Sequence, residues 1–366
     1  MELSVVIPCL NESETIGTCI KKAKNEINKL NISAEIIVSD NGSVDDSIEI
    51  SRKLGAKIFP CVDKGYGSAV INGIKSSTGK YILIADGDDS YNFEDLPIFY
   101  NKIKEGYDLV QGCRMPSGGG KIERGAMPVT HRLIGNPLFS FLAKLFFSLP
   151  FNDVYCGMKI IRNDFFKNAN FFSMGMVFCL EILIKSKVLN AKTSEIPITL
   201  FRDGRINARS HLKTISDGLK TFKFMLICCP KWLYFFPSLF FLIIAPMTYF
   251  KLDKFLNLHD YEKILVSMLM LFLSFQFFML GLFSSLRAQN LGLYNKKWIN
   301  VFFKIFNLRI ALLISLIILL FSIYFLYVNI FFTSKEMGFV FFSFSIFFSI
   351  SLIANSLVIS LLSLDK

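Results

Sequence analysis

The chain has 366 residues, a formal net charge of +11, 52 % hydrophobic and 19 % charged residues, and a mean hydropathy of +0.47. Soluble domains carry about 25 % charged residues, so this composition excludes a purely soluble protein and a disordered one alike. The excess positive charge fits anionic lipid and anionic small substrates; no basic run interleaved with aromatics offers a platform for bases, and nucleic acid is not expected as a partner.

Residue 1 leads straight into an apolar run without a basic leader or cleavage site, so no signal peptide is expected. Residues 3–8, 35–39, 57–59, 81–85 and 109–111 are short runs rich in Val and Ile and predict β-strands. Between the first four lie helical periods. Residues 12–30 put Ile16, Ile20, Ala23, Ile27 and Leu30 on one face, and 45–54 and 68–76 follow less cleanly. Alternating strands and helices predict a largely parallel α/β sheet, with ligands at the carboxyl ends of its strands. Beyond Gln111 the alternation stops. Residues 115–127, with Gly118, Gly119, Gly120, Lys121, Arg124 and Gly125, predict a mobile loop. Residues 131–151 are apolar with Lys144 alone and Pro137 near the start. They suit a helix lying on a membrane surface, or else a core helix of the soluble domain. A strand at 156–161, a helix at 175–188 and a strand at 194–200 complete a soluble domain spanning 1–231.

From residue 232 onward the chain is a membrane domain of about four helices, at 232–250, 264–286, 310–332 and 338–364. Each stretch reaches the roughly 20 apolar residues needed to cross a bilayer; the Ser-rich last one also suits a re-entrant hairpin. The loop between the second and third carries Arg287, Lys296, Lys297, Lys304 and Arg309 without Asp or Glu. Basic loops stay cytoplasmic, so a multi-pass protein of the cytoplasmic membrane is expected, with its soluble domain and C-terminus inside. All eight Cys precede Pro230 and make no CxxC pair; they read as reduced thiols.

The predicted strands end in polar clusters: Pro8-Cys9-Leu10-Asn11-Glu12, Asp40-Asn41-Gly42-Ser43 and Asp86-Gly87-Asp88-Asp89. Asp40 is placed to accept hydrogen bonds from a base or ribose. Asp86 and Asp88, one glycine apart, can converge on a hard cation such as Mg²⁺ or Mn²⁺ shared with substrate phosphates. Any one cluster alone reads equally as a solvated loop or cap; three on one sheet edge point to a site. Lys64-Gly65-Tyr66-Gly67 precedes a predicted helix, where glycines would let N–H groups approach a ligand, or would simply cap the helix.

The order of these motifs resembles the family 2 glycosyltransferases of GT-A fold, most of all the polyprenyl-phosphate (dolichol-phosphate) sugar synthases. It continues through Gly112-Cys113-Arg114, His131-Arg132, Gly135-Asn136, Cys156-Gly157-Met158-Lys159 and Glu195-Ile196-Pro197-Ile198. The stretch Asp203-Gly204-Arg205, Ser210-His211-Leu212-Lys213 and Asp217-Gly218 resembles a membrane-anchored bacterial branch. The resemblance implies that Pro8, Leu10, Glu12, Val38 and Asp40 hold the donor's base and ribose, with Lys64, Ala85 and Gly87 in the same donor set. It implies that Asp86 and Asp88 face diphosphate and metal, that Arg114 and Arg132 meet the lipid phosphate, and that Lys213 closes over the donor. It leaves room for a homo-oligomer. Leu10 stands where dolichol-phosphate mannose enzymes often have Tyr, which leaves UDP versus GDP open; Ser90 replaces a common Gln, and Val177 a usual Glu.

The expected reaction is metal-dependent, inverting transfer of a sugar from a nucleotide-sugar to polyprenyl phosphate at the cytoplasmic face. A lipid phosphate is already an anionic nucleophile, and arginines can grip it in a bidentate fork without a base. Asp153, the one carboxylate near the presumed acceptor site, reads as a base or positioner and equally as a helix or turn residue. Arg202, Arg205 and Arg209 suit anionic headgroups. The alternatives are transfer to a glycolipid or polysaccharide precursor, and a non-enzymatic nucleotide-sensing lipid transporter. Trp232 and Trp298 lie outside any Q-x-x-R-W context, which counts against a processive synthase.

Overall fold

The structure, a computed structural model, describes all residues except 207–213, 252–258, 295–300, 303–307, 333–334 and 365–366. The chain divides into two compact units, Met1–Met225 and Leu226–Lys366.

The first unit is built on β1 (Leu3–Cys9), β2 (Ala34–Asp40), β3 (Lys57–Pro60), β4 (Tyr81–Ile84), β5 (Leu109–Cys113), β7 (Lys159–Arg162) and β8 (Thr193–Pro197), in the order β3-β2-β1-β4-β7-β5-β8. It is a GT-A-like, mostly parallel sheet; β7 alone runs antiparallel, between β4 and β5. The register sets Cys9 beside Asp40 and Val6 beside Ile84, so the polar ends of β1, β2 and β4 share one edge. The covering helices are α1 (Ile16–Leu30), α2 (Ser47–Lys53), α3 (Tyr66–Lys75), α4 (Leu96–Lys104), α6 (Asn163–Ala169) and α7 (Phe178–Val188). Ile16, Ile20 and Ala23 of α1 are completely buried against Val5, Ile7 and Leu83, the stripe that the 3.6-residue period predicts.

Residues 115–127 are not the loose loop their glycines suggest. They carry β6 (Lys121–Ile122), paired with β9 (Thr199–Leu200) in a second small sheet. Gly120 is a packing glycine, because a Cβ there would collide with the Cys113 carbonyl. The predicted strand at 156–161 starts three residues later, since 156–158 lie outside the ladder and the Gly157 amide donates to Tyr91 Oη at 2.7 Å.

A π-helical turn, His131–Gly135, leads into α5 (Asn136–Phe147). This helix turns its small and polar residues inward: Asn136, Ser140 and Ala143 are buried. Its large apolar side chains face out, with Leu138 48 % and Phe141 60 % exposed, as do Leu133 and Ile134 of the preceding turn. α8 (Thr214–Cys228) shows the same inversion, with Thr221 and Met225 buried and Ile215, Leu219 and Phe222 exposed.

The second unit contains α9 (Phe236–Lys251), α10 (Asp260–Asn290), α11 (Leu308–Phe332) and α12 (Lys335–Leu364). Four helices among the described residues are long and apolar enough to cross a membrane. Apolar side chains gain nothing by leaving lipid for a helix interface, so small residues and hydroxyls set the contacts. Ser238 of α9 and Ser274 of α10 exchange hydrogen bonds with each other's carbonyls at 2.9 and 2.8 Å. Ser315 and Ser349 do the same more loosely between α11 and α12, at 3.4 and 3.5 Å. Gln276 of α10 bonds Ser351 and Asn355 of α12.

Candidate active site

The loops after β1 and β2 are laced together. The Asn11 amide donates to Ser43 Oγ and the Val44 amide returns to Asn11 Oδ1, both at 2.9 Å. Glu12 and Ser13 amides bond Ser47 Oγ and Asp45 Oδ2 at 2.7 and 3.0 Å. Asp40 is buried, and its carboxylate accepts the amides of Gly42 and Ser43 at 3.0 and 3.1 Å. It therefore shapes the turn that follows β2. Pro8 and Leu10 are half-buried at the end of β1. Val38, expected to touch the donor, has no exposed surface and packs in the core with Val5 and Ile7. Ala85 is likewise wholly buried.

Lys64 folds back so that Nζ donates to the Asn41 carbonyl at 2.7 Å, while Asn41 Oδ1 accepts the Gly65 amide at 2.8 Å. Asn41, given no role by the sequence reading, is the staple between the two turns. The glycines of Lys64-Gly65-Tyr66-Gly67 allow close packing at the helix start. Gly65 has φ +127°, and a Cβ on it or on Gly67 would strike the carbonyls of Met174 or Ser173. The Ser68 amide at the start of α3 already donates to the Met174 carbonyl at 3.0 Å. These glycines let the 173–175 chain press against the helix start; that amide is spent on the protein itself.

At the end of β4 the acid turn is held on several sides. Gly87 is buried and its carbonyl accepts Thr15 Oγ1 at 2.7 Å. Asp88 Oδ1 accepts the Ser90 amide at 3.1 Å and Ser90 Oγ at 2.6 Å, so Ser90 orients the carboxylate. Asp89, at φ +59°, pairs with Lys22 at 2.8 Å. Asp86 lies deeper. Its Oδ1 is buried without a hydrogen-bond partner. Burial first and the charge of Asp88 second push its carboxyl up to about 6, against the pull of Tyr66, Lys159 and Arg114. A buried orphan carboxylate oxygen is costly in the unliganded protein and is what a ligand can satisfy. Among the described residues no group of three or more His, Cys, Asp or Glu could hold a metal alone. Two carboxylates short of a full shell fit Mg²⁺ or Mn²⁺, which complete theirs with water and substrate phosphates.

One contact in this cluster was placed elsewhere by the sequence reading. Arg205, expected at lipid headgroups, lies at the acid turn with its side chain enclosed. Nη1 reaches Glu12 Oε1 at 3.1 Å, Nη2 reaches Asp88 Oδ2 at 3.5 Å, and Nε bonds Asp203 at 2.9 Å. Glu12 is pushed up to about 7 by burial, opposed by that guanidinium. Arg202 donates to the Arg124 carbonyl at 2.6 Å. Lys213, Arg209 and His211 lie outside the described residues.

The expected acceptor residues separate. Arg114 is buried, and Nε and Nη2 fork onto Asp153 Oδ2 and Oδ1 at 2.7 and 2.9 Å. Nη1 donates to Tyr91 Oη at 3.2 Å. The edge that would grip a phosphate is taken by Asp153, and both oxygens of Asp153 are engaged. Both carboxylate oxygens of Asp153 are thus turned to Arg114 and to the Arg114 and Tyr155 amides. Glu195 in turn accepts the Asn152 and Asp153 amides at 2.8 and 3.0 Å. Arg132 is instead exposed on the π-helical turn, where it lines a pocket of about 490 Å³ with Arg124, Glu123, Met127 and Val129. Nothing in the sequence pattern signals the pairing of Arg114 with a residue 39 positions away.

Residues 4–169 match the sequence model of Glycosyl transferase family 2, and the first unit carries a domain of that family. The low-salt glycan biosynthesis hexosyltransferase Agl6 of Haloferax volcanii is 33 % identical over 238 residues, 64 % of this chain and 56 % of its own length. The dolichyl-phosphate hexose transferase of the same organism is 29 % identical over 54 % of this chain and 82 % of its own. The chain therefore spans little more than half of the first relative. Among solved structures, glucosyl-3-phosphoglycerate synthase from Mycobacterium tuberculosis in complex with Mn²⁺, UDP and glucosyl-3-phosphoglycerate overlaps 62 % of this chain and 80 % of its own, at 20 % identity and TM-score 0.48.

Proposed function

We propose that this chain, the bearer of a family 2 glycosyl transferase domain, transfers a hexose from a nucleotide-sugar to a polyprenyl phosphate at the cytoplasmic face of a membrane. The observation that carries the reading is the acid turn: Asp86 with its orphan oxygen and Asp88 oriented by Ser90, on the sheet edge that also presents Asp40 and Glu12. Base and ribose would lie against Pro8, Leu10 and Asp40. A divalent cation held by Asp88 and Asp86 would offset the charge growing on the departing diphosphate.

Among the described residues, the carboxylate expected near the acceptor is already engaged, which favours an acceptor that needs no base. A sugar or protein hydroxyl must lose a proton as it attacks, and needs a general base within hydrogen-bond reach. Asp153, the carboxylate expected near the acceptor, has both oxygens on Arg114. A phosphate monoester arrives already ionised. Its oxygen attacks the anomeric carbon, the C–O bond to the nucleotide diphosphate breaks, and configuration inverts. Arg132 and Arg124, in a pocket that also holds Met127 and Val129, suit an anionic head with an apolar root. The relative named for dolichyl-phosphate hexose transfer points to the same acceptor class.

The outward apolar faces of α5 and α8 support a catalytic unit seated in the lipid interface, where such faces bury into the headgroup boundary. The four apolar helices would tether it there, and the basic loop after the second favours the cytoplasmic side.

Membranes containing the full chain, given radiolabelled polyprenyl phosphate and a panel of UDP- and GDP-hexoses, are expected to form a lipid-phosphate sugar with one donor, and none after chelation with EDTA. Product on a neutral glycolipid with none on polyprenyl phosphate would remove the acceptor assignment.

A further inference from the structure

We propose that Arg205 is the resting counter-ion of the acid turn: its guanidinium and a divalent cation compete for the same oxygen of Asp88, so that donor loading requires Arg205 to step aside. This rests on the reading of Asp88 as a cation ligand given above.

The geometry leaves little room for both. Ser90 takes Asp88 Oδ1 through two hydrogen bonds, which leaves Oδ2, and Oδ2 faces Arg205 Nη2 at 3.5 Å. A hard divalent ion binds a carboxylate oxygen at about 2.0–2.1 Å and repels a neighbouring guanidinium. The arginine is no stray surface contact. Its side chain is 5 % exposed and sits among the carboxylates of Glu12, Asp88 and Asp203. Its chain segment is fastened down: the Phe201 amide donates to the Ser90 carbonyl and the Gly204 amide to the Asp88 carbonyl, both at 2.9 Å. At Gly204 a Cβ would stand 3.0 Å from Thr15 and 3.3 Å from Asp89, so the backbone lies directly on the acid turn.

The three grips are unequal, and this decides which one is exchangeable. Asp203 holds Nε at 2.9 and 3.0 Å and travels on the same segment; Glu12 holds Nη1 at 3.1 Å; Asp88 holds at only 3.5 Å. Arg205 can give up Asp88 and keep Asp203. A bare cation must evict a guanidinium that then has one partner fewer. A cation arriving with a nucleoside diphosphate brings phosphate oxygens that complete its own shell and offer the guanidinium a new anion. Cation binding is therefore weak alone and cooperative with nucleotide.

The test is Mn²⁺ binding to the full-length protein in detergent micelles, read from the electron paramagnetic resonance of free Mn²⁺, with and without UDP or GDP. Arg205→Gln is expected to tighten Mn²⁺ alone about tenfold and to shrink the nucleotide cooperativity. Asp203→Asn, which keeps the arginine but removes the partner it retains on leaving Asp88, is expected to weaken Mn²⁺ alone by about threefold, and serves if the first variant folds poorly. If both variants stay within about twofold of wild type while Asp88→Asn abolishes binding, Arg205 is no competitor and the acid turn keeps its role. If Asp88→Asn binds Mn²⁺ like wild type, both readings fall.

Discussion

Asp88→Asn is expected to lower hexose transfer by at least about 10³-fold while the first unit stays folded. The side chain is partly open, 20 % exposed; its firm contacts are those from Ser90, and the pairing with Arg205 is longer, at 3.5 Å. An asparagine oxygen can still accept from Ser90, so stability should change by about 0.5 kcal/mol or less, as for ordinary surface substitutions. The missing quantity is a full negative charge where a cation and a leaving diphosphate are to be held. Interactions of this kind carry roughly 3–4 kcal/mol of transition-state stabilisation, or two to three powers of ten, and loss of the cation adds to that. Initial rates at saturating donor, beside circular dichroism melts, separate the two effects. Activity above a tenth of wild type would remove Asp88 from the mechanism.

Asp86→Asn should behave differently, and the contrast is diagnostic. Asp86 is held up at about 6, above its ordinary 3.8, mainly by burial and then by Asp88. A carboxyl raised in the folded state contributes stability below its unfolded pKa and loses it as pH rises through the folded value. At pH 7.5 the protein carries this group ionised at a cost. The amide variant is expected to melt higher than wild type at pH 7.5, to lose that advantage below about pH 4, and to transfer sugar more slowly. A melting point that is unchanged or lower at pH 7.5 would mean that the carboxylate is satisfied in the free protein.

Much of the fold was legible because it is local. The runs that became β1, β2, β3, β4 and β5 are short Val- and Ile-rich stretches between helical periods, and each observed strand overlaps its predicted run. The acid clusters at the strand ends follow from that alternation alone. What stayed hidden depends on pairing across distance. Periodicity says nothing of strand order, so the antiparallel insertion of β7 between β4 and β5 left no trace. α4 was not foreseen, although Leu96, Phe99, Tyr100 and Ile103 lie at helical spacing; the expected run of alternation simply closed too early. For α5 the amphipathic rule points the wrong way, because the helix docks through Asn136, Ser140 and Ala143 and leaves its large side chains outside. Arginine is ambiguous for the same reason. A guanidinium near the start of a membrane segment suits headgroups, and only the fold shows that Arg205 meets Glu12 and Asp88, and that Arg114 is spent on Asp153.

That last pair sets the second large effect. Asp153→Asn and Arg114→Gln are each expected to destabilise the first unit by about 3–5 kcal/mol, because either change strands a buried partner charge. Asp153 has no exposed surface, and its carboxylate also accepts the Arg114 amide at 3.0 Å and the Tyr155 amide at 3.3 Å. An apolar swap of both residues is therefore not neutral here. It would leave backbone donors orphaned at about 1–3 kcal/mol each, unlike ion pairs whose only partners are each other. The polar double variant Arg114→Gln/Asp153→Asn keeps an acceptor for those amides and removes both charges, so its cost should fall well short of the summed single effects. A coupling of about 2 kcal/mol or more is expected. Both tryptophans, Trp232 and Trp298, lie in the second unit, so indole fluorescence would report the wrong half of the chain. Amide exchange in β5 and β7 of the full-length protein reads the pair directly. Strictly additive protection losses would show that Arg114 and Asp153 act independently. A variant that folds normally yet loses affinity for polyprenyl phosphate, with donor KM unchanged, would return Arg114 to the acceptor site.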